Sequence, residues 1–88
     1  DIWQLREDID TIDEQLLALL AERFQKSDAV AEYKKKHKKP VLDPSREKEL
    51  FAALEQKAKE YHLPPAAIIS IFKEVLHQSR RLQEQKIN

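Results

Sequence analysis

The sequence predicts an all-α fold of three helices per chain, one long and two shorter, and three observations predict it. Glycine is absent from all 88 residues, where average usage of about 7% would supply roughly six. The four prolines fall at positions 40, 44, 64 and 65, and they divide the chain into three runs. Within each run apolar residues recur every three or four positions, the period of one helix face. Without glycine, hairpin turns that need positive φ are not expected. A phosphate-cradling loop and a dinucleotide fingerprint are excluded for the same reason.

In the first run Ile2, Leu5, Ile9, Ile12, Leu16 and Leu19 form the apolar series. No proline interrupts it before Pro40, so a helix is expected from about residue 2 to 37, roughly 50 Å long at 1.5 Å per residue. The second helix has a clear start. Asp43 suits the N-cap, Pro44 the first helical position, and Glu47 and Glu49 follow early, where acids favour the positive helix end. Its apolar face is Leu50, Phe51, Leu54, Ala58 and Tyr61, and it ends before Leu63-Pro64-Pro65. The third helix opens at those prolines, presents Ile68, Ile69, Phe72, Val75 and Leu76, and reaches about Gln85. The later helices, about 20 residues or roughly 30 Å each, cover little more than half of the first. The uncovered apolar stripe is an expected interface, and a homodimer with its long helices packed together would bury it.

Composition narrows the function classes. Lys plus Arg and Asp plus Glu number 16 each, a formal net charge of zero, whereas a nucleic-acid domain carries a basic excess. There is no cysteine, so no disulfide, thiolate zinc site or thiol nucleophile is available. No apolar run approaches the ~20 residues of a membrane span, and no signal-peptide pattern opens the chain. His37, His62 and His77 lack metal-ligand spacing, so no metal site is expected. A single domain over residues 1–88 is expected.

Each apolar stripe turns polar at one end. On the first helix the series 16, 19, 23, 27, 30, 34 reads Leu, Leu, Arg, Ser, Val, Lys. Stepping back four from Leu50 and Phe51 reaches Arg46 and Glu47, and the third series runs from Phe72 and Leu76 into Ser79 and Gln83. Short connections make successive helices antiparallel, which brings these three ends to the same pole. Arg23, Lys34, Arg46, Glu47, Ser79 and Gln83 should converge there. Three cations against one acid predict a pocket for an anion with more than one negative group, because buried charge must be paired. In the stretch from Lys34 to Lys39, Lys34 is expected in the pocket wall, and Lys35, Lys36, Lys38 and Lys39 in solvent. Arg80 and Arg81 are expected on plain helix surface. The competing reading is a non-enzymatic helical dimer, an adaptor that binds acidic partners through the Lys34–Lys39 cluster.

These residues resemble a known family, the all-helical chorismate mutases, and in particular the N-terminal mutase domain of bifunctional chorismate mutase–prephenate dehydratases. The likeness covers nearly the whole chain: LREDIDTIDEQLLALLAER at 5–23, Lys34, PVLDPSRE at 40–47, and the Ser-x-x-x-Gln pair of SRRLQ at 79–83. The resemblance implies a domain-swapped homodimer that converts chorismate to prephenate in Phe and Tyr biosynthesis. It implies a cytoplasmic enzyme with no cofactor, and no nucleic-acid or membrane partner. It also implies roles. Arg6, reaching in from the partner chain, and Arg23 bind the substrate carboxylates. Lys34 contacts a carboxylate and the ether oxygen, and Gln83 donates to the same oxygen. Asp43 and Glu47 hold the ring hydroxyl, Arg46 adds positive potential, and Ser79 helps hold a carboxylate.

Overall fold

The computed structural model describes residues 1–87, with side-chain surroundings through residue 85. Asn88, the last residue of the expected domain, lies outside the described residues. Those residues form three α-helices and no strand: α1 Ile2–Lys36, α2 Pro44–Glu60 and α3 Pro65–Ile87.

Each start has a local cause. Asp1 caps α1, its carboxylate accepting from the Gln4 backbone N–H at 2.9 Å. Asp43 caps α2 in the same way, accepting from Arg46 N–H at 3.1 Å, with Pro44 in the first turn. In α3 the first backbone bond runs from Ile68 N–H to the Pro64 carbonyl at 3.2 Å, and proline in the first turn forfeits no intrahelical donor. With no glycine or proline inside it, α1 continues unbroken for 35 residues.

The described residues form no hairpin, but two helix ends take positive φ without glycine. Lys38 and His62 both adopt left-handed backbone, with φ of 55° and 58°. Lys39 N–H bonds to the Lys34 carbonyl at 2.8 Å and Lys38 N–H to that of Lys35 at 3.3 Å. Leu63 and His62 repeat the pattern on Ala58 and Lys59, at 2.8 and 3.1 Å. Both ends are therefore Schellman motifs, in which the left-handed position ordinarily falls to glycine. Tyr61, expected on the apolar face of α2, is its C-cap instead and is exposed, because the helix stops one residue earlier. A left-handed residue with a Cβ costs about 1–2 kcal/mol, part of which glycine's extra freedom in the unfolded chain would offset. Lys38→Gly and His62→Gly together are expected to stabilise by about 1 kcal/mol, raising Tm by roughly 4–8 °C in a domain of this size. Calorimetry checks this; a lower Tm for both single variants would contradict the assignment of these residues as strained caps.

Helix α3 packs against both α1 and α2, which do not pack against each other. The backbone of the chain spans 54 × 24 × 15 Å, an elongated shape set by the length of α1. Among the described residues the buried apolar ones are Ala31 and Ala58, and no large side chain is fully buried. Phe24, Leu50, Phe51, Leu54, Ile68, Phe72 and Leu76 are only half-buried. Along the first half of α1, Leu5, Ile9, Ile12 and Leu16 are 53–60% exposed. Full burial of such a side chain is worth roughly 1.5–3 kcal/mol, so this stripe is a large unrealised stabilisation in the isolated chain. No helix among the described residues is long and apolar enough to cross a membrane.

Candidate functional site

A cleft of about 340 Å³ opens where the C-terminal half of α1, the start of α2 and the C-terminal part of α3 meet. From α1 it is lined by Arg23, Lys26, Ser27, Val30 and Lys34, whose spacing of three and four places them on one helix face. The α1–α2 connection supplies Val41 and Asp43, α2 supplies Arg46 and Glu47, and α3 supplies Leu76, Ser79, Arg80 and Gln83. Five cations face two carboxylates, an excess of three positive charges in a partly desolvated concavity. Such a surface attracts anions and concentrates them.

The hydrogen bonds divide these groups into held and available ones. Ser79 is 3% exposed, and its hydroxyl accepts from Arg23 Nη1 at 3.3 Å. That contact fixes the guanidinium against α3. The Lys34 ammonium donates to the Val41 carbonyl, pinning the connection to α1; an ammonium carries three donors, so two remain for a ligand. Arg80 Nη1 donates to Glu47 Oε2 at 2.9 Å, tying α3 to the first turn of α2. Gln83 is 8% exposed, and its Oε1 finds no hydrogen-bond partner among the described residues. An unsatisfied buried carbonyl oxygen costs about 1–3 kcal/mol, which only a donor group would offset. Asp43 and Arg46 are exposed, so the cleft is open to solvent at their edge.

Seven of the eight residues singled out in the sequence line this one cleft: Arg23, Lys34, Asp43, Arg46, Glu47, Ser79 and Gln83. Asp43 also serves as the α2 cap. Arg6 does not join them. It lies near the other end of α1, exposed, with its guanidinium 5.4 Å from the Trp3 ring centroid. Lys35, Lys36, Lys38 and Lys39 are exposed and outside the cleft; the Lys39 ammonium sits 5.8 Å from the Tyr33 ring centroid.

Arg80 corrects the sequence reading. Expected on plain surface, it is half-buried and ion-paired in the cleft wall. The signal was present, since the series Phe72, Leu76, Arg80 steps by four along the apolar face of α3. Lys26 was also missed, although it stands three residues after Arg23 and four before Val30.

The sequence has counterparts among known proteins. The family model for chorismate mutase type II matches residues 5–84. The chain is 34% identical over 82 residues to the chorismate mutase of Methanocaldococcus jannaschii, covering 93% of this chain and 83% of that one. It is 38% identical over 80 residues to the bifunctional chorismate mutase/prephenate dehydratase of Escherichia coli (strain K12), covering 91% of this chain and 21% of that one. The corresponding protein of Aquifex aeolicus is 32% identical over 88 residues, with coverage of 97% and 24%. The chain thus spans less than a quarter of these two bifunctional relatives. With a match that takes in all three helices, the chain belongs to the chorismate mutase type II family.

Proposed function

We propose that the chain catalyses the rearrangement of chorismate to prephenate, the committed chemistry of Phe and Tyr biosynthesis, as an intertwined homodimer in which Arg6 of each chain completes the partner's cleft. The observation that carries this reading is the meeting of polar residues from three helices in one cleft with three excess positive charges. Its volume lies at the lower end of the ≈300–1,000 Å³ range of small-molecule sites, which suits one small dicarboxylate.

The rearrangement is intramolecular: a carbon–oxygen bond breaks as a carbon–carbon bond forms, with no nucleophile and no proton abstraction. The protein has two tasks. Arg23, held by Ser79, and Lys34 grip carboxylates and select the compact conformer that brings the reacting carbons together. Lys34 and Gln83 donate to the ether oxygen as negative charge grows on it. Arg46 adds positive potential, and Glu47 with Asp43 receives the ring hydroxyl. A million-fold acceleration requires about 8 kcal/mol. Hydrogen bonds to charged groups contribute about 1.5–3 kcal/mol each, and they count only in so far as they strengthen in the transition state. Two donors on the ether oxygen plus conformer selection reach that range.

The dimer reading is supported by the exposed stripe on α1 and by the lack of any fully buried large side chain among the described residues. The adaptor reading accounts neither for the match to the chorismate mutase type II family nor for the cleft into which Lys34 turns.

The test is the loss of ultraviolet absorbance of chorismate incubated with the purified chain. Turnover is expected. Arg23→Ala is expected to lower kcat/KM by at least about 100-fold, the loss of two charged hydrogen bonds. Simultaneous Lys35, Lys36, Lys38 and Lys39→Gln is expected to stay within a few-fold of the parent. The reverse pattern would favour the adaptor.

A further inference from the structure

We propose that Arg80 is a positioning residue: it holds the Glu47 carboxylate on the α2–α3 wall, ready for the substrate hydroxyl and away from the cations that bind the substrate carboxylates. The inference rests on the function proposed above and adds a residue to it.

The pair joins Arg80 Nη1 to Glu47 Oε2 at 2.9 Å, with the side chains 30% and 25% exposed. A partly buried ion pair is screened less than a fully exposed one. It engages Glu47 through Oε2, so Oε1 can accept from a ligand. Arg80, Glu47 and Leu76 also line a second groove of about 290 Å³, together with Phe51 and Lys73. The pair therefore forms the partition between the groove and the cleft.

The need for such a tether follows from the charge distribution. Glu47 stands in a cleft with Arg46, Lys34, Lys26 and Arg23. An untethered glutamate has three rotatable torsions and four cations to choose among. Pairing with any of them would neutralise a charge meant for a substrate carboxylate. It would also require the side chain to be reordered at each binding event, a recurring entropic cost of association. Arg80 approaches from α3 and draws the carboxylate toward its own side.

A carboxylate that competes with substrate weakens binding more than it slows the chemical step. Arg80→Leu is expected to raise KM about 10-fold while kcat stays within about threefold, the signature of lost uniform binding. Arg80→Lys, which keeps a charged donor, is expected to recover most of that loss. The decisive comparison is a double-mutant cycle with Glu47→Gln. If Arg80 acts through Glu47, adding Arg80→Leu to Glu47→Gln should change kcat/KM by less than about threefold. Where Arg80→Leu proves too unstable, Arg80→Gln takes its place in the same cycle.

Equal losses in both backgrounds would overturn the inference, because Arg80 would then act on substrate directly. An unchanged KM in Arg80→Leu, with or without a lower Tm, would also overturn it. An inactive parent overturns the proposed function and this inference with it; an active parent with an additive cycle overturns this inference alone.

Discussion

Mixing two impaired variants, Arg6→Ala and Lys34→Ala, should restore about a quarter of the parent's activity, as expected for a shared site in a C₂ dimer. Each variant alone should lose roughly 10- to 150-fold, since each removes a charged contact to the substrate worth about 1.5–3 kcal/mol. In a mixed dimer, one cleft combines the intact Lys34 of one chain with the intact Arg6 of the other, while the second cleft lacks both. Random association makes half of the dimers mixed, and half of their clefts are whole.

The expectation follows from helix geometry. Arg6 and Arg23, at positions 6 and 23, are 17 residues or about 25 Å apart along one helix. Helix α1 is continuous between them, and it contains no proline or glycine to bend it. A cleft of about 340 Å³ at the Arg23 end is out of reach for Arg6 of the same chain. The stripe Leu5, Ile9, Ile12, Leu16 lies between the two arginines and is exposed. Pairing two copies through it would bury the stripe and carry each Arg6 toward the other's cleft. The measurement is kcat per total chain after co-refolding equal amounts, with mixed dimers verified by differential tagging. Recovery absent from verified mixed dimers would remove the shared site and return Arg6 to its place beside Trp3 on an exposed helix end.

What could be read from the sequence depended on whether a residue's neighbours lie on its own helix. Arg23, Ser27, Val30 and Lys34 continue the series of Leu16 and Leu19, so their common face is a matter of period alone. Arg46 and Glu47 precede the α2 stripe by one turn, and Ser79 and Gln83 extend that of α3. Short turns then suffice to bring the three ends to one pole. Arg80 could have been found by stepping four from Leu76, but its charge invited assignment to the surface. The partner that makes it a wall residue, Glu47, is 33 positions away, beyond any local pattern. The left-handed ends at Lys38 and His62 carried no signal, because the residue that usually marks them, glycine, is missing. Arg6 is the limiting case. The face around it is apolar, so no stripe turns polar there, and its role came only from the family resemblance. A contact made by a second chain leaves no trace in one chain's periodicity.

The second large effect is expected at Gln83. Gln83→Glu should retain useful activity at low pH and lose it as pH rises, with the parent profile much flatter. The amide NH₂ donates at any ordinary pH, whereas a carboxyl of nearly the same shape donates only when protonated. Once ionised, it sets a negative charge against an ether oxygen that is itself becoming negative. The position is 8% exposed, and burial raises a carboxyl's pKa, while the neighbouring Arg23 and Lys34 lower it. The sign is independent of that balance: activity belongs to the protonated form, so it is present below the introduced group's pKa and falls above it. The fall should approach tenfold per pH unit, following the protonated fraction, in kcat/KM measured from about pH 4 to 9. Dimer integrity must be checked at each pH, since the variant adds a charge at a buried position. The parent supplies the control for every other titrating group, because the two proteins differ in one heavy atom, a nitrogen replaced by an oxygen. Superimposable profiles would show that Gln83 donates nothing to the developing charge, and the ether oxygen would be left to Lys34 alone.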